Sequence, residues 1–259
     1  MSLRACVVAL LCLLVPAARA SVVDTYEVKQ QASFEIWNGT QKVGTEKFRV
    51  YATHDTLITA STVRLDGASP TSKLPFEKRT SFLQRAYDSY PLVFQITEQP
   101  RSDTTKTFAL NCVFQDTVAV IYKELTGRGV GTTVALPPGR LYLLEPGIYL
   151  QIQILLADFL AGSQQTRRQS VLIPSAEQVV DLWLTRGATE AIVVRGKKVE
   201  AQRVDLTDKM TNLVAWMDPS GRMMKLEAPG QGLRVERGPD LVEKTAPSKK
   251  PPVRARRRG

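Results

Sequence analysis

The chain holds few residues capable of covalent chemistry, and their spacing assembles no familiar constellation. Its one histidine, His54, precedes Asp55. A Ser-His-Asp relay could recruit Ser61, but no Gly-x-Ser-x-Gly elbow exposes a nucleophile, and a turn or surface position accounts for His54 without chemistry. Cys6 and Cys12 sit in an apolar N-terminal run, so Cys112 stands alone in the rest of the chain. One histidine and one cysteine cannot build a transition-metal shell without carboxylates, and no Asp-rich calcium loop occurs. Gly127-Arg128-Gly129-Val130-Gly131 has the glycine density of a phosphate loop. It lacks the Gly-Lys-Ser step and any strand-to-helix setting, which leaves a flexible loop. The expectation is a protein that is not an enzyme, with no metal and no cofactor.

What positions these residues begins with the N-terminus. Arg4 gives a basic start, Ala5 to Val15 form an apolar run, and Ala18-Arg19-Ala20 is an A-x-A cleavage site. Residues 1–20 thus read as a secretory signal peptide, the run being too short to span a bilayer. The expected location is outside the cytoplasm: the periplasm first, the medium as the alternative, with no transmembrane segment in the mature chain.

The formal charge of +10 belongs to the ends. Two basic residues lie in the leader and seven from Lys244 onward, leaving 26 basic against 25 acidic residues between. That near-neutral middle argues against specific nucleic-acid binding by the folded part. Residues 244–259 are proline-rich, basic and without a core-forming pattern, and read as a disordered tail. Its Lys249, Lys250, Arg254, Arg256, Arg257 and Arg258 are candidates for diffuse contact with an anionic envelope polymer or membrane surface. Arg167-Arg168 and Lys197-Lys198 read as solvated charges at strand edges or turns.

Between these ends, residues 21–243 read as one β-rich domain. Period-two alternation dominates: Phe34 and Ile36, Phe48 and Val50, Leu57 to Leu65, Leu92 to Ile96, Phe108 to Phe114, Val118 to Tyr122, Val134 and Leu136. Cys112 falls in phase with Phe108, Leu110 and Phe114, where a buried small hydrophobe belongs. Asn38-Gly39 suits a type I′ hairpin turn, and Asp218-Pro219-Ser220-Gly221 has the composition of a type I turn. Further strands are read at Ser170 to Ile173, Gln178 to Leu184, Ala191 to Arg195, Lys197 to Leu206, Asn212 to Met217, Arg222 to Glu227 and Leu233 to Glu236. One segment keeps helical spacing instead. Ile148, Ile152, Leu155, Leu156 and Phe159 predict an amphipathic helix over about 146–161, with Pro146 in its first turn and Gly162 just past its end. The fold class is mainly β: a twisted antiparallel sheet or open half-barrel covered by that helix.

Three groups of residues carry a resemblance. Val43-Gly44-Thr45-Glu46, Ser89-Tyr90-Pro91-Leu92 and Ala215-Trp216-Met217-Asp218…Gly221-Arg222…Lys225…Gly232-Leu233 resemble an uncharacterised family of bacterial periplasmic proteins, classed as a domain of unknown function. The resemblance runs in outline from Val23 to Arg237. More remotely, a twisted sheet with one covering helix is similar to the half-barrel of Lol-type lipoprotein carriers, whose concave face holds acyl chains. The basic tail belongs to neither pattern. The resemblance implies a non-enzymatic envelope protein that holds a lipid or lipoprotein between sheet and helix. Ile152, Leu155 and Phe159 would then form one wall and Phe34, Phe94 and Trp216 the other, with ordinary core as the competing reading of all six. The alternative function is an envelope scaffold that engages another protein through an edge strand, for which a filled interior would speak.

Overall fold

A computed structural model describes residues 26–66, 75–101, 107–125, 127–208 and 212–241. The expected leader over 1–20 and tail over 244–259 lie outside these residues. Hairpins run outward from β1 (Glu27–Asn38) through β2 (Gln41–Ala52), β3 (Thr56–Leu65), β4 (Phe76–Arg85), β5 (Pro91–Pro100), β6 (Phe108–Gln115) and β7 (Val118–Leu125) to β8 (Arg128–Ala135). The chain then crosses by β9 (Tyr142–Leu143) and a single helix, α1 (Tyr149–Ala161), to the far side of the sheet. It returns through β10 (Thr166–Ile173), β11 (Gln178–Val194), β12 (Lys197–Thr207), β13 (Asn212–Met217), β14 (Met223–Ala228) and β15 (Leu233–Arg237). β15 pairs with β1, placing Arg237 opposite Phe34, so one 15-stranded sheet runs from β8 at one edge to β9 at the other. Every neighbouring pair is antiparallel except β9 with β10. The mainly β class with one helix is as the alternation predicts.

Alternation decides which side chains face inward. Phe34 and Ile36, Phe48, Val63 and Leu65, Val204, Ala215, Leu226 and Val235 pack around α1 in one core. Phe82, Phe94, Ile96, Leu110, Cys112 and Ile121 form a second core with Leu143 and Leu172. Adjacent residues of β10 go to different cores: Val171 joins the helix cluster and Leu172 the second one, both fully buried. The C-terminal half of β10 is therefore covered on both faces, and that end of the margin is rolled inside the curl beneath β4–β7. The β8 margin stays outside.

Several local expectations change. The loop of the first hairpin is Gly39-Thr40, with Asn38 and Gln41 as the closing pair. Gly39 has φ +58° and Thr40 has no positive φ, which is the II′ pattern with glycine first, not I′. Residues 76–85 form the full strand β4 although their alternation mixes Phe76 and Phe82 with Lys78 and Thr80. Residues 128–131 are strand, not a flexible loop. The two segments read at 178–184 and 191–195 are one strand, β11, irregular between Arg186 and Thr189. The 218–221 turn is as its composition predicts, with Gly221 N donating to Asp218 O at 3.0 Å and Asp218 Oδ1 accepting from Ser220 N and Arg222 N at 2.9 Å each.

The helix differs most. It begins at Tyr149, three residues after Pro146, and lies inside the curl with Tyr149, Leu150, Gln151, Gln153, Leu155, Leu156 and Phe159 buried. It is enclosed more deeply than a surface cover: Ile152, Ile154, Ala157, Asp158 and Leu160 are half-buried and only Ala161 is exposed. Gly162 is extended (φ −81°, ψ 173°), not left-handed. The last carbonyls are met instead by Arg186, whose Nη2 donates to Leu160 O at 3.3 Å and Gly162 O at 2.8 Å.

Candidate functional site

The lumen is the first place to look for a site, and its polar groups are spent on holding α1. Ile148 at the N-cap supplies no side-chain bond. Glu46 takes that role from β2: its Oε2 accepts from Tyr149 N at 2.7 Å and Leu150 N at 3.3 Å, and Oε1 accepts from Ser61 Oγ. A carboxylate at a helix N-terminus complements the exposed donors and the dipole. Complete burial outweighs these bonds and pushes the Glu46 carboxyl up to about 7. Burial, with a smaller contribution from Glu46, raises the Tyr149 phenol as well.

In the same cross-strand row as Glu46 but two strands away, buried Lys78 lies 3.2 Å from Glu145 Oε1 and 3.0 Å from Glu98 Oε2, and donates to Pro146 O at 3.2 Å. In mid-helix, Gln153 Oε1 accepts from Met223 N and Arg237 Nη1, each at 3.1 Å, and Gln153 Nε2 donates to Gln30 at 3.2 Å. Near the helix end, Asp158 accepts from Arg167 at 3.0 Å and from Arg140 and Tyr142. Burial raises the Asp158 carboxyl, but the bonds from Tyr142 and Arg167 and the charges of Arg140 and Arg167 together hold it below the usual value. Breaking a buried, hydrogen-bonded charge leaves its partner unsatisfied, so such anchors resist displacement of the helix.

A cleft of about 210 Å³ opens between α1 and the sheet, lined by Leu57, Phe82, Gln84, Leu141, Gln151 and Ile154 among others. None of the six expected ligand residues lines it. Phe34, Leu155 and Phe159 are close-packed in the helix core, Ile152 is half-buried against it, and Phe94 belongs to the second core. Trp216 alternates with inward Ala215 and Met217 and points to the outer face. There its Nε1 donates to Glu190 at 2.5 Å and Lys225 Nζ lies 5.3 Å from its ring centre. The six therefore do not converge on one space.

The chemistry-bearing residues of the sequence are equally dispersed. His54 is exposed in the β2–β3 turn, whereas Ser61 is buried and committed to Glu46. Cys112 is fully buried, and burial pushes its thiol up to about 12. Among the described residues, no group of three or more His, Cys, Asp or Glu is placed to hold a metal ion. Arg168 is paired with Asp181 at 2.5 Å. No described helix is long and apolar enough to cross a membrane.

The outer margin is different. Leu136 N donates to Thr117 O at 2.7 Å, and the register continues as Val118 with Ala135. Directly opposed antiparallel residues alternate between bonded and non-bonded pairs. Residues 128, 130, 132 and 134 therefore spend their N–H and C=O on β7, and those of Gly129, Gly131, Thr133 and Ala135 face the open edge. No backbone partner meets them there among the described residues. All four are small, so nothing shields the exposed backbone groups. Beside them on the outer face lies a trough of about 600 Å³ whose lining includes Gln95, Thr97, Ala109, Asn111, Tyr122 and Gly131. Tyr122, Leu125 and Val130 are each more than half exposed. Proteins usually blunt such an edge with lysine, proline, a bulge or a covering segment; positions 129–135 carry neither lysine nor proline. The signal in the sequence was the alternation of small residues from Gly129 to Ala135, hidden by its likeness to a glycine-rich loop.

Neither any protein-family model nor any curated protein matches the chain. A solved structure, described as a β-barrel-like protein of the domain of unknown function DUF1849 from Brucella abortus, is similar to it with a TM-score of 0.48 and 12% identity. The match covers 83% of this chain and 98% of that one.

Proposed function

We propose that this chain is an exported, non-enzymatic binding protein of the cell envelope, and that its partner is another protein that adds an extended segment to the open edge of β8. The observation that carries the reading is the row of edge-facing backbone groups at Gly129, Gly131, Thr133 and Ala135. Strand addition draws affinity from main-chain bonds and specificity from pockets for alternate side chains, and the adjoining trough offers such a pocket. The lipid-carrier reading has less support, because a cleft of about 210 Å³ falls below the roughly 300–1,000 Å³ of ordinary small-molecule sites. Enlarging it would require α1 to leave its buried anchors. The basic tail would add a salt-sensitive contact with anionic surfaces.

The test places a photo-crosslinking residue at Thr133 in the full-length protein in its native host, with exposed Glu200 on β12 as the control position. The expected result is one discrete protein adduct at 133 and none at 200. Ala135→Pro, which removes an edge-facing N–H where proline is tolerated, should abolish the adduct while leaving the fold intact. No adduct at 133, or one indifferent to Ala135→Pro, would overturn the proposal.

A further inference from the structure

Away from β8, the outer face of β2–β4 carries a second concavity of about 580 Å³. Its charges come from alternate outward positions brought together by register. Lys47 on β2 opposes Thr62 on β3, which opposes Arg79 on β4. In the next row Thr45 opposes Arg64, which opposes Glu77. Arg49 lies two residues along β2 from Lys47, and its Nη1 reaches Tyr51 OH at 3.4 Å. Among the described residues, Lys47, Arg64 and Arg79 bring three cations to one groove with a single carboxylate, Glu77, and Arg49 borders it.

The carboxylate holds two of the cations and occupies part of their donor set. Glu77 Oε2 accepts from Arg64 Nε at 2.7 Å, and Oε1 accepts from Arg79 Nε at 2.8 Å and Nη2 at 2.6 Å. Both guanidiniums are held on one splint. Arg64 Nη1 and Nη2 and Arg79 Nη1 remain outside that clamp, with the side chains 62% and 71% exposed. Lys47 is exposed and has no carboxylate within ion-pair distance among the described residues. Planar forks beside a point charge are the donor set that suits phosphate oxygens. Between the cations lie the hydroxyls of Thr45, Thr62 and Tyr51 and the carboxamide of Gln31, neutral partners for a hydroxylated carrier.

We infer that the groove formed by Lys47, Arg64 and Arg79 is a binding site for a soluble phosphate ester of a sugar. Its position on the outer face of β2–β4 makes it independent of partner binding at β8. Being open to solvent, it binds modestly and weakens with added salt.

The test measures binding of glucose 6-phosphate, glucose and inorganic phosphate to the full chain by isothermal titration calorimetry. Saturable binding of glucose 6-phosphate and none of glucose is expected. Arg64→Gln and Arg79→Gln should each weaken it by about tenfold. Glu77→Gln, which frees both guanidiniums and removes a competing anion, should tighten it. Opposite effects from substitutions on one strand pair would not arise from loss of fold, and circular dichroism checks that each variant remains folded. Removing residues 244–259 should leave glucose 6-phosphate binding unchanged. The proposal is overturned if glucose 6-phosphate does not bind, if its binding ignores the three groove substitutions, or if binding disappears with the tail. Groove-dependent binding to phosphatidylglycerol vesicles without binding of the soluble ester would also overturn it, by assigning the phosphate to a lipid headgroup.

Discussion

Glu46 shows how one residue can be plain in the sequence and still have an unreadable role. It stands in phase with inward Phe48, so an acidic residue on the core face was visible. Its partners, Tyr149 and Leu150, lie more than a hundred residues away, and no local spacing reveals them. Lys78 is hidden for the same reason, since its partner Glu145 is brought to it only when the sheet curls. Gly44 is a matching case of close approach: a side chain there would run into the Arg64 carbonyl and the Leu65 side chain across the β2–β3 pair.

Glu46 also yields a pH prediction. Its carboxyl titrates near 4.5 when unfolded and at about 7 when folded, so between these values the folded state holds a proton that the unfolded state has lost. Stability should therefore fall as pH rises through that interval, by roughly 3 kcal/mol in all. Asp158 and Asp218 act in the other sense. Their carboxyls are held below the usual value when folded, so their contribution is present at neutral pH and is lost under acid. In Glu46→Gln the decline above the usual carboxylate range should disappear, because glutamine can accept the Tyr149 N–H without ionising. Chemical denaturation of both proteins at about pH 5 and about pH 8 checks this. A variant less stable than the parent at the higher pH, or one that keeps the decline, would contradict it.

Among the elements, the helix separates a packed filling from a movable cover. Its existence and register were legible from Ile148, Ile152, Leu155, Leu156 and Phe159. Its environment was not, because Gln151 and Gln153 mark a solvated face in a surface helix yet here are buried and bonded to Glu145 N and Met223 N. Gly162 ends the helix in an extended rather than left-handed conformation, with its N–H donating to Phe159 O at 3.2 Å and Arg186 on β11 meeting the Leu160 and Gly162 carbonyls. If Leu155 is filling, Leu155→Ala should cost about 2–5 kcal/mol in urea denaturation and change no binding property of the folded protein. A selective loss of a bound ligand at unchanged stability would instead make the helix a cavity wall. The strands were legible wherever apolar and polar residues alternate cleanly. They were missed at β4, where Lys78 and Thr80 take core positions, and at β8, where glycines imitate a loop.

At the scale of the molecule, the two margins of the sheet have opposite fates. β9 and the Val171–Leu172 stretch of β10 that it pairs with are buried, while β8 presents its small residues outward. Sequence pattern specifies which face of a strand is buried; it does not tell which margin of a rolled sheet ends up inside, because that depends on pairing β1 with β15. The roll also disposes of the interior, which the anchored helix fills. The proposed strand addition at β8 would put binding on the outside of the sheet.

The most direct measurement is native mass spectrometry of the full protein taken gently from its native compartment, with organic extraction of whatever is bound. Strand addition at β8 predicts a complex with a second protein that is lost in Ala135→Pro, and no stoichiometric lipid in the extract. A stoichiometric lipid or acylated peptide, retained when the β8 edge is blocked, would contradict it and return the interior to the centre of the function.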